Sequence, residues 1–411
     1  MSGTEPAGRR GSRQAGELRY GWTTGACATA AATAAYTALL TGEFPDPVTI
    51  TLPGGQRPAF ALAREELTPG AATAAVVKDA GDDPDVTHGA LVHARVRLAA
   101  PRAGVVFRAG PGVGTVTRPG LPLAVGEPAI NPVPRRMMRA AMAAVAAAHT
   151  GHTAHTGAAG HTTRIDAAGH TGTVGGDADG AVNAAVDVEI TIGVDNGAEI
   201  ARHTWNPRLG IIGGLSILGT TGIVVPYSCS AWIDSIRRGI DVARAAGHRH
   251  VAACTGSTSE EVARRLHGLP DDALLDMGDF AGAVLKYLRR HPIPHLTIVG
   301  GVGKLAKLAA GHLDLHSGRS QVDLAALAAL ARAAGGDAEL AGRVEAASTA
   351  LGALRVCLAA GVPLGDLIAA DARRTALDVL RGASAQVEVI AIDRAGTVVG
   401  HTGTMDTRNG T

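Results

Sequence analysis

Residues 250–266 read HVAACTGSTSEEVARRL. The apolar stretch His250 to Ala253 has strand composition. It gives way at Thr255-Gly256 to a helical segment, Ser257 to Leu266, with Ser257 and Glu260 at capping-box spacing. Strand, glycine turn and helix in that order form one arm of a βαβ unit. Upstream, Ile223–Val225 reads as a strand and Ser230–Ala246 as a helix ended by Gly247. Downstream follow a helix at Asp279–Arg290, a strand at Leu296–Val299 and a helix at Lys304–Ala310. This alternation predicts parallel strands with helices on both faces, a three-layer αβα arrangement. Helices at Val322–Ala334, Asp337–Leu351 and Leu364–Leu380 complete the layers. Val387–Asp393 and Thr397–His401 read as a hairpin around Arg394-Ala395-Gly396.

Toward the N-terminus the pattern is different. An Ala-rich helix follows Thr23-Thr24-Gly25, runs to Leu40 and stops at Gly42. Val48–Leu52, Ala74–Lys78 and the alternating Leu91–Leu98 read as half-buried strands, and Val186–Ile192 alternates in the same way. Gly and Pro dominate 108–134, which predicts a long ordered loop before a helix at Arg135–Ala148. The expectation is a mixed fold of two domains: an α+β sandwich over 18–200 and an αβα unit over 201–411. A polar tail precedes them at 1–17, and the His/Thr/Gly-rich stretch 149–180 reads as a mobile insertion.

With hydrophobic residues at 46% and aromatics at 3%, the cores are built from Ala, Val, Leu and Ile around many glycines. A net charge of +1 with scattered Lys and Arg argues against nucleic acid as a partner. The most apolar run, Ile211–Pro226, is broken by glycines and hydroxyls and is too short for a membrane span, so no membrane association is expected. The start lacks an apolar signal region, and the four cysteines lack C-x-x-C spacing. Both features fit reduced thiols in a cytoplasm.

In an open parallel sheet, ligands bind beyond the carboxyl ends of the strands, where helix N-termini leave N–H groups free. Two loops occupy such places by sequence: Cys254–Glu260, and Gly300-Gly301-Val302-Gly303-Lys304. A third cluster, Gly213–Gly222, holds more glycines and hydroxyls than a core calls for. Gly300–Lys307 is not a P-loop, which would need Gly at Ile298 and Ser or Thr at Leu305. None of the three loops spells G-x-G-x-x-G. His312, Asp314 and His316 read as an ordered polar loop rather than a metal centre, and no metal is expected. Arg135, Arg136, Arg208, Lys304 and Lys307 stand beside these loops and suit an anionic ligand.

Six blocks then stand in order: YGWTTGACATAA from Tyr20, GVGTVTRPGLP from Gly112, EPAINPVPR from Glu127, TWNPRLGIIGGLSILGTTGI from Thr204, CTGSTSE from Cys254 and GKLAKLAAG from Gly303. Together they resemble the signature of the CbiD family of cobalamin biosynthesis, across nearly the whole chain outside the tail and insertion. The resemblance implies an S-adenosylmethionine-dependent C-methyltransferase with a Rossmann-like C-terminal half. It would act at C-1 of cobalt-precorrin-5B on the way to cobalt-precorrin-6A, with cobalt present only as part of the substrate. On that reading the donor is held by Gly213, Gly214, Ser216, Gly219, Thr220, Thr221 and Gly222, and by Thr255, Gly256, Ser257, Ser259 and Glu260. The carboxylate rim of the corrinoid falls to Thr23, Thr24, Asn131, Arg135, Gly301, Lys304, Lys307 and His316. No general base is assigned, and homo-oligomerisation stays open. A nucleotide-dependent reductase and a corrinoid carrier without chemistry remain the other readings; the missing dinucleotide fingerprint counts against the first.

Overall fold

The computed structural model describes residues 18–149 and 186–403. The expected tail at 1–17, and all but the first residue of the expected insertion at 149–180, lie outside the described residues. The fold is mixed α/β, with parallel strands in its sheets.

Two compact units interleave along the chain. The first takes in the described residues up to Gly114, those of Pro128–Thr204, and Gly213–Tyr227; the second takes in Thr115–Glu127, Trp205–Ile212 and the described residues from Ser228 onward. This division differs from a single boundary at 200/201, because Gly213–Tyr227 is bonded into the first unit.

The first unit is built on a sheet of β1 (Arg64–Thr68), β2 (Ala71–Val77), β3 (Leu91–Leu98), β4 (Val105–Ala109) and β5 (Val188–Val194), in the order β1-β2-β3-β5-β4. All neighbours are antiparallel except β5 and β4. Alternate residues Val92, Ala94 and Val96, with Val188, Ile190 and Ile192, share a core with helices α1 (Thr24–Thr41) and α2 (Pro132–His149). Thr23 Oγ1 caps α1 by accepting the Ala26 N–H at 3.2 Å, and Gly42, at φ 85°, ends it. Every residue from Thr24 to Tyr36 is buried. The helix tolerates threonines there because Thr29 and Thr33 hydroxyls donate to the carbonyls of Gly25 and Thr29, at 2.8 and 2.7 Å.

Gly213–Gly222 locks onto this unit, which corrects, for Gly214, Gly219 and Gly222, the expectation that its glycines exceed what packing needs. Gly214-Leu215 pairs in parallel with Gly112-Val113, and a Cβ on Gly214 would lie 2.2 Å from the Gly112 carbonyl. Ile223-Val224, expected as the first strand of the parallel sheet, pairs antiparallel with Gly21-Trp22 instead. Gly219 sits at φ +130°, where a Cβ would lie 2.3 Å from Thr23 Oγ1.

The second unit carries β6 (His250–Cys254), β7 (Leu274–Asp276), β8 (His295–Gly301), β9 (Gln386–Ile392) and β10 (Val398–His401), in the order β7-β6-β8-β9-β10. The first four are parallel and β10 is antiparallel. Around them lie α3 (Cys229–Ala245), α4 (Ser257–His267), α5 (Ala281–Arg290), α6 (Val302–Ala309), α7 (Leu324–Ala333), α8 (Ala338–Glu345), α9 (Ala350–Ala359) and α10 (Leu364–Leu380). Consecutive residues Val251–Cys254 and Val387–Ile392 are all buried, as strands covered on both faces require. The single helix expected over Asp337–Leu351 is two, since Thr349 caps a new start by accepting the Gly352 N–H at 3.1 Å. Among the described residues, no helix is long and apolar enough to cross a membrane.

At the amino-terminal edge of this sheet, Thr297 donates its one hydroxyl proton to Glu388 (2.9 Å), so it accepts from His250 Nε2 at 2.8 Å. His267 Nε2 lies 3.0 Å from the same Glu388 oxygen. Burial, and then the charges of His267 and His295, push His250 down to about 4. Between that value and the ordinary histidine range near 6.5, the unfolded chain takes a proton that the folded chain refuses. Stability therefore falls as pH falls through this window.

Gly219→Ala costs about 3 kcal/mol in urea unfolding, by strain plus overlap. Gly213→Ala, at φ +88° but with open space, costs about 1 kcal/mol. Thermal midpoints fall from pH 7 to pH 4, and His250→Gln makes that fall shallower.

Candidate functional site

β6 has β7 on one side and β8 on the other, so the chain reverses its direction across the sheet between these strands. Such a reversal opens a crevice at the carboxyl ends of the two strands on either side of it. A cleft of about 1020 Å³ lies there, beyond Cys254 and Gly301 and bounded further on by the end of β9 at Ile392 and Asp393.

Two helices begin in its wall without a side-chain cap. The N-cap of α4 is Gly256 and that of α6 is Gly301. Their first-turn N–H groups are thus left for solvent or ligand, and their dipoles favour an anion. Packing does not account for Gly301 and Gly303, where a Cβ would meet nothing within 4 Å; Gly256 also faces open space, but its φ of +156° is a conformation that favours glycine. Gly301 also has φ −61° and ψ 142°, a conformation open to any residue. Gly300 differs, since a Cβ there would lie 2.8 Å from Thr255 Cγ2.

Two lysines supply charge. Lys304 Nζ donates to the Thr255 carbonyl at 3.0 Å and pairs with Asp279 Oδ1 at 3.2 Å. Lys307 is 7% exposed and donates to the Leu315 carbonyl at 2.9 Å, with no carboxylate in ion-pair range among the described residues. A buried ammonium with one carbonyl partner is costly unless an anion completes its shell. Arg394 adds a further cation to the wall.

The expected site residues separate into two groups. Thr255, Gly256, Ser257, Ser259, Gly301, Lys304, Lys307 and His316 all line this one cleft, so four expected donor residues and four expected corrinoid residues share a wall. Ser259 is committed to the loop, donating to the Gly256 carbonyl at 2.6 Å. His316 Nδ1 accepts the Gly318 N–H at 3.1 Å. Glu260 is not in the wall: Arg208 grips it bidentately, both bonds 2.7 Å, with the guanidinium 5.0 Å from the Trp205 ring. The expected capping box with Ser257 is absent because Gly256 is the cap.

The second group belongs to the other unit. Thr24 Oγ1 accepts the Leu218 N–H at 2.9 Å, Asn131 N–H donates to the Ile217 carbonyl at 2.9 Å, and Thr23 faces Gly219. Arg135 donates to the carbonyls of Ile130 and Pro128, at 2.8 and 3.2 Å. Thr221 Oγ1 accepts the Ile223 N–H, and Thr220 is exposed. Gly213, Gly214, Ser216 and Gly222 complete the same segment.

Asp276, at the tip of β7, was not singled out by sequence. Burial and the charge of Glu260 raise its carboxyl above the usual range. Burial also raises the Cys254 thiol, which makes it a poor nucleophile at neutral pH. Among the described residues, no group of three or more His, Cys, Asp or Glu side chains is placed to hold a metal ion.

A family model described as CbiD matches residues 11–161 and 175–226, and one described as CbiD, C-terminal domain, matches 314–403. The chain belongs to the CbiD family. Proteins named cobalt-precorrin-5B C(1)-methyltransferase are similar to it almost end to end. That of Paramagnetospirillum magneticum is 57% identical over 383 residues, covering 93% of this chain and 98% of the relative. That of Rhodospirillum rubrum is 56% identical (94% and 98% covered), and that of Brucella anthropi 54% identical (96% and 98% covered). A 1.9 Å crystal structure of the cobalamin biosynthesis protein CbiD from Archaeoglobus fulgidus aligns at 26% identity, with a TM-score of 0.36, over 74% of this chain and 83% of that one.

Gly303 separates the needs of the fold from those of a ligand. Gly303→Ala is expected to stabilise the folded chain by about 0.5–1 kcal/mol, because it adds a helix-favouring residue in open space. It should weaken any ligand seated against the first turn of α6. Thermal melts alongside ligand titration check both.

Proposed function

We propose that this chain is a cobalt-precorrin-5B C(1)-methyltransferase, transferring a methyl group from S-adenosylmethionine to C-1 of the corrinoid to give cobalt-precorrin-6A in cytoplasmic cobalamin biosynthesis by the anaerobic-type route. The observation that carries it is identity of 54–57% with three relatives of that name, over 98% of the length of each. We read the second unit as Rossmann-like and its cleft as the donor site.

The residues present suit such a donor. When bound it would supply an electrophilic sulfonium methyl, open to in-line attack by an electron-rich ring carbon, with the S–CH3 bond breaking and S-adenosylhomocysteine leaving. The uncapped turns at Gly256 and Gly301 and the buried Lys307 ammonium bind its carboxylate. Glycines 256, 301 and 303 clear room for close approach to the backbone, and the Arg208–Glu260 clamp holds the first turn of α4 in place. The chain's contribution is positioning. No side chain is assigned as a base, since a conjugated macrocycle can spread the charge that develops. Lys304, Arg394 and His316 lie on the same wall and are available to carboxylates of the acidic ring.

Purified protein incubated with methyl-labelled S-adenosylmethionine and cobalt-precorrin-5B is expected to move label onto the macrocycle. Absence of transfer by folded protein would refute the proposal. Lys307→Met should keep or raise the melting temperature, because an apolar side chain replaces a buried charge. It should weaken donor binding roughly 10- to 100-fold.

A further inference from the structure

One strand over from the Gly256 turn, a half-buried carboxylate keeps one oxygen open. Asp276 ends β7 in register with Cys254 and stands at position 276, against 256 for the turn glycine. Its Oδ1 accepts the Gly278 N–H at 3.2 Å; its Oδ2 makes no hydrogen bond among the described residues. Asp279, three positions on, lines the cleft. The indole N–H of Trp232 donates to the Asp276 backbone carbonyl at 3.2 Å, and the ring packs over Gly278, where a Cβ would lie 3.2 Å from Cζ2. Phe280 supports the ring, at 6.3 Å between centroids. Trp232 nevertheless remains 44% exposed, in a chain with three tryptophans.

These features are complementary. A carboxylate at the tip of the strand neighbouring the glycine turn, about 20 residues after it, is placed to accept from the vicinal hydroxyls of a ribose. An ionised carboxylate is acceptor-only, and sugar hydroxyls are donors matched to its open Oδ2. A latched, exposed indole offers a flat apolar face to a purine.

We propose that Asp276 and Trp232 form the nucleoside end of the donor site, Asp276 binding the ribose hydroxyls and Trp232 stacking on the base. This rests on the reading of the cleft as the donor site. Asp276 is raised above the usual carboxylate range by burial and by Glu260, against the Gly278 N–H and the charges of Arg208 and Lys304.

Calorimetric titration of the full chain with S-adenosylhomocysteine, and with its 2′-deoxy analogue, tests the inference. Asp276→Asn keeps an acceptor for Gly278 and should melt like the wild type. It should weaken S-adenosylhomocysteine roughly 10- to 100-fold while barely changing the weaker binding of the deoxy analogue. Equal loss for both ligands, or loss for neither, overturns the role of Asp276. A wild-type chain that fails to bind S-adenosylhomocysteine overturns the donor reading itself, and this inference with it. Saturable quenching of tryptophan emission by S-adenosylhomocysteine should disappear in Trp232→Phe although binding persists; quenching that survives overturns the role of Trp232.

Discussion

Because β7 and β8 lie on opposite sides of β6, the crossovers that reach them must diverge. Right-handed connections then carry α4 and α5 to opposite faces of the sheet. The tips of β6 and β8 are left uncovered between the helices that start there. The cleft, the uncapped turns and the isolated ammonium all follow from this order. A sheet wound in one direction only would bury the same glycines against the next crossover. The strand order thus produces the opening, and the local sequence determines what the opening binds.

Where burial imposes a period, the sequence was readable. The alternation of Leu91–Leu98 and the apolar runs at His250–Cys254 and Gln386–Ile392 each became a strand close to the expected bounds. Arg64–Thr68 was missed because it is an exposed edge strand whose side chains carry no burial signal. Leu274–Asp276 was missed because three residues are too few to show a period. The glycine clusters were legible as glycines but not as to purpose. Gly214 is there because a backbone crosses closely, and Gly219 and Gly222 because side chains do; only the partner atoms, on Gly112, Thr23 and Leu52, reveal it. Those at 256, 301 and 303 face empty space, and that too is visible only in three dimensions.

Charge was harder still to place. Glu260 looked like a ligand group because it follows the turn, yet Arg208, fifty-two positions earlier, occupies both of its oxygens. The adjacent Trp205-Asn-Pro-Arg208 segment was read as a family signature; in the fold it is a brace on the first turn of α4. A residue can therefore matter to a site without offering it an atom. Lys307 is the reverse case: the sequence marks it as a cation beside the glycine turn, and only the fold shows that it is buried with a single carbonyl partner, that of Leu315.

The interleaving of the two units also bears on how the chain is made. Gly21-Trp22 leaves the ribosome early, but its strand partner Ile223-Val224 is about two hundred residues behind it, and the loop between them carries the entropic cost of a distant closure. The second unit likewise gathers Thr115–Glu127 and Trp205–Ile212 from between segments of the first. Neither unit is a contiguous module that gene fusion or truncation could lift out. Lineages that rearrange domains would have to inherit this protein whole.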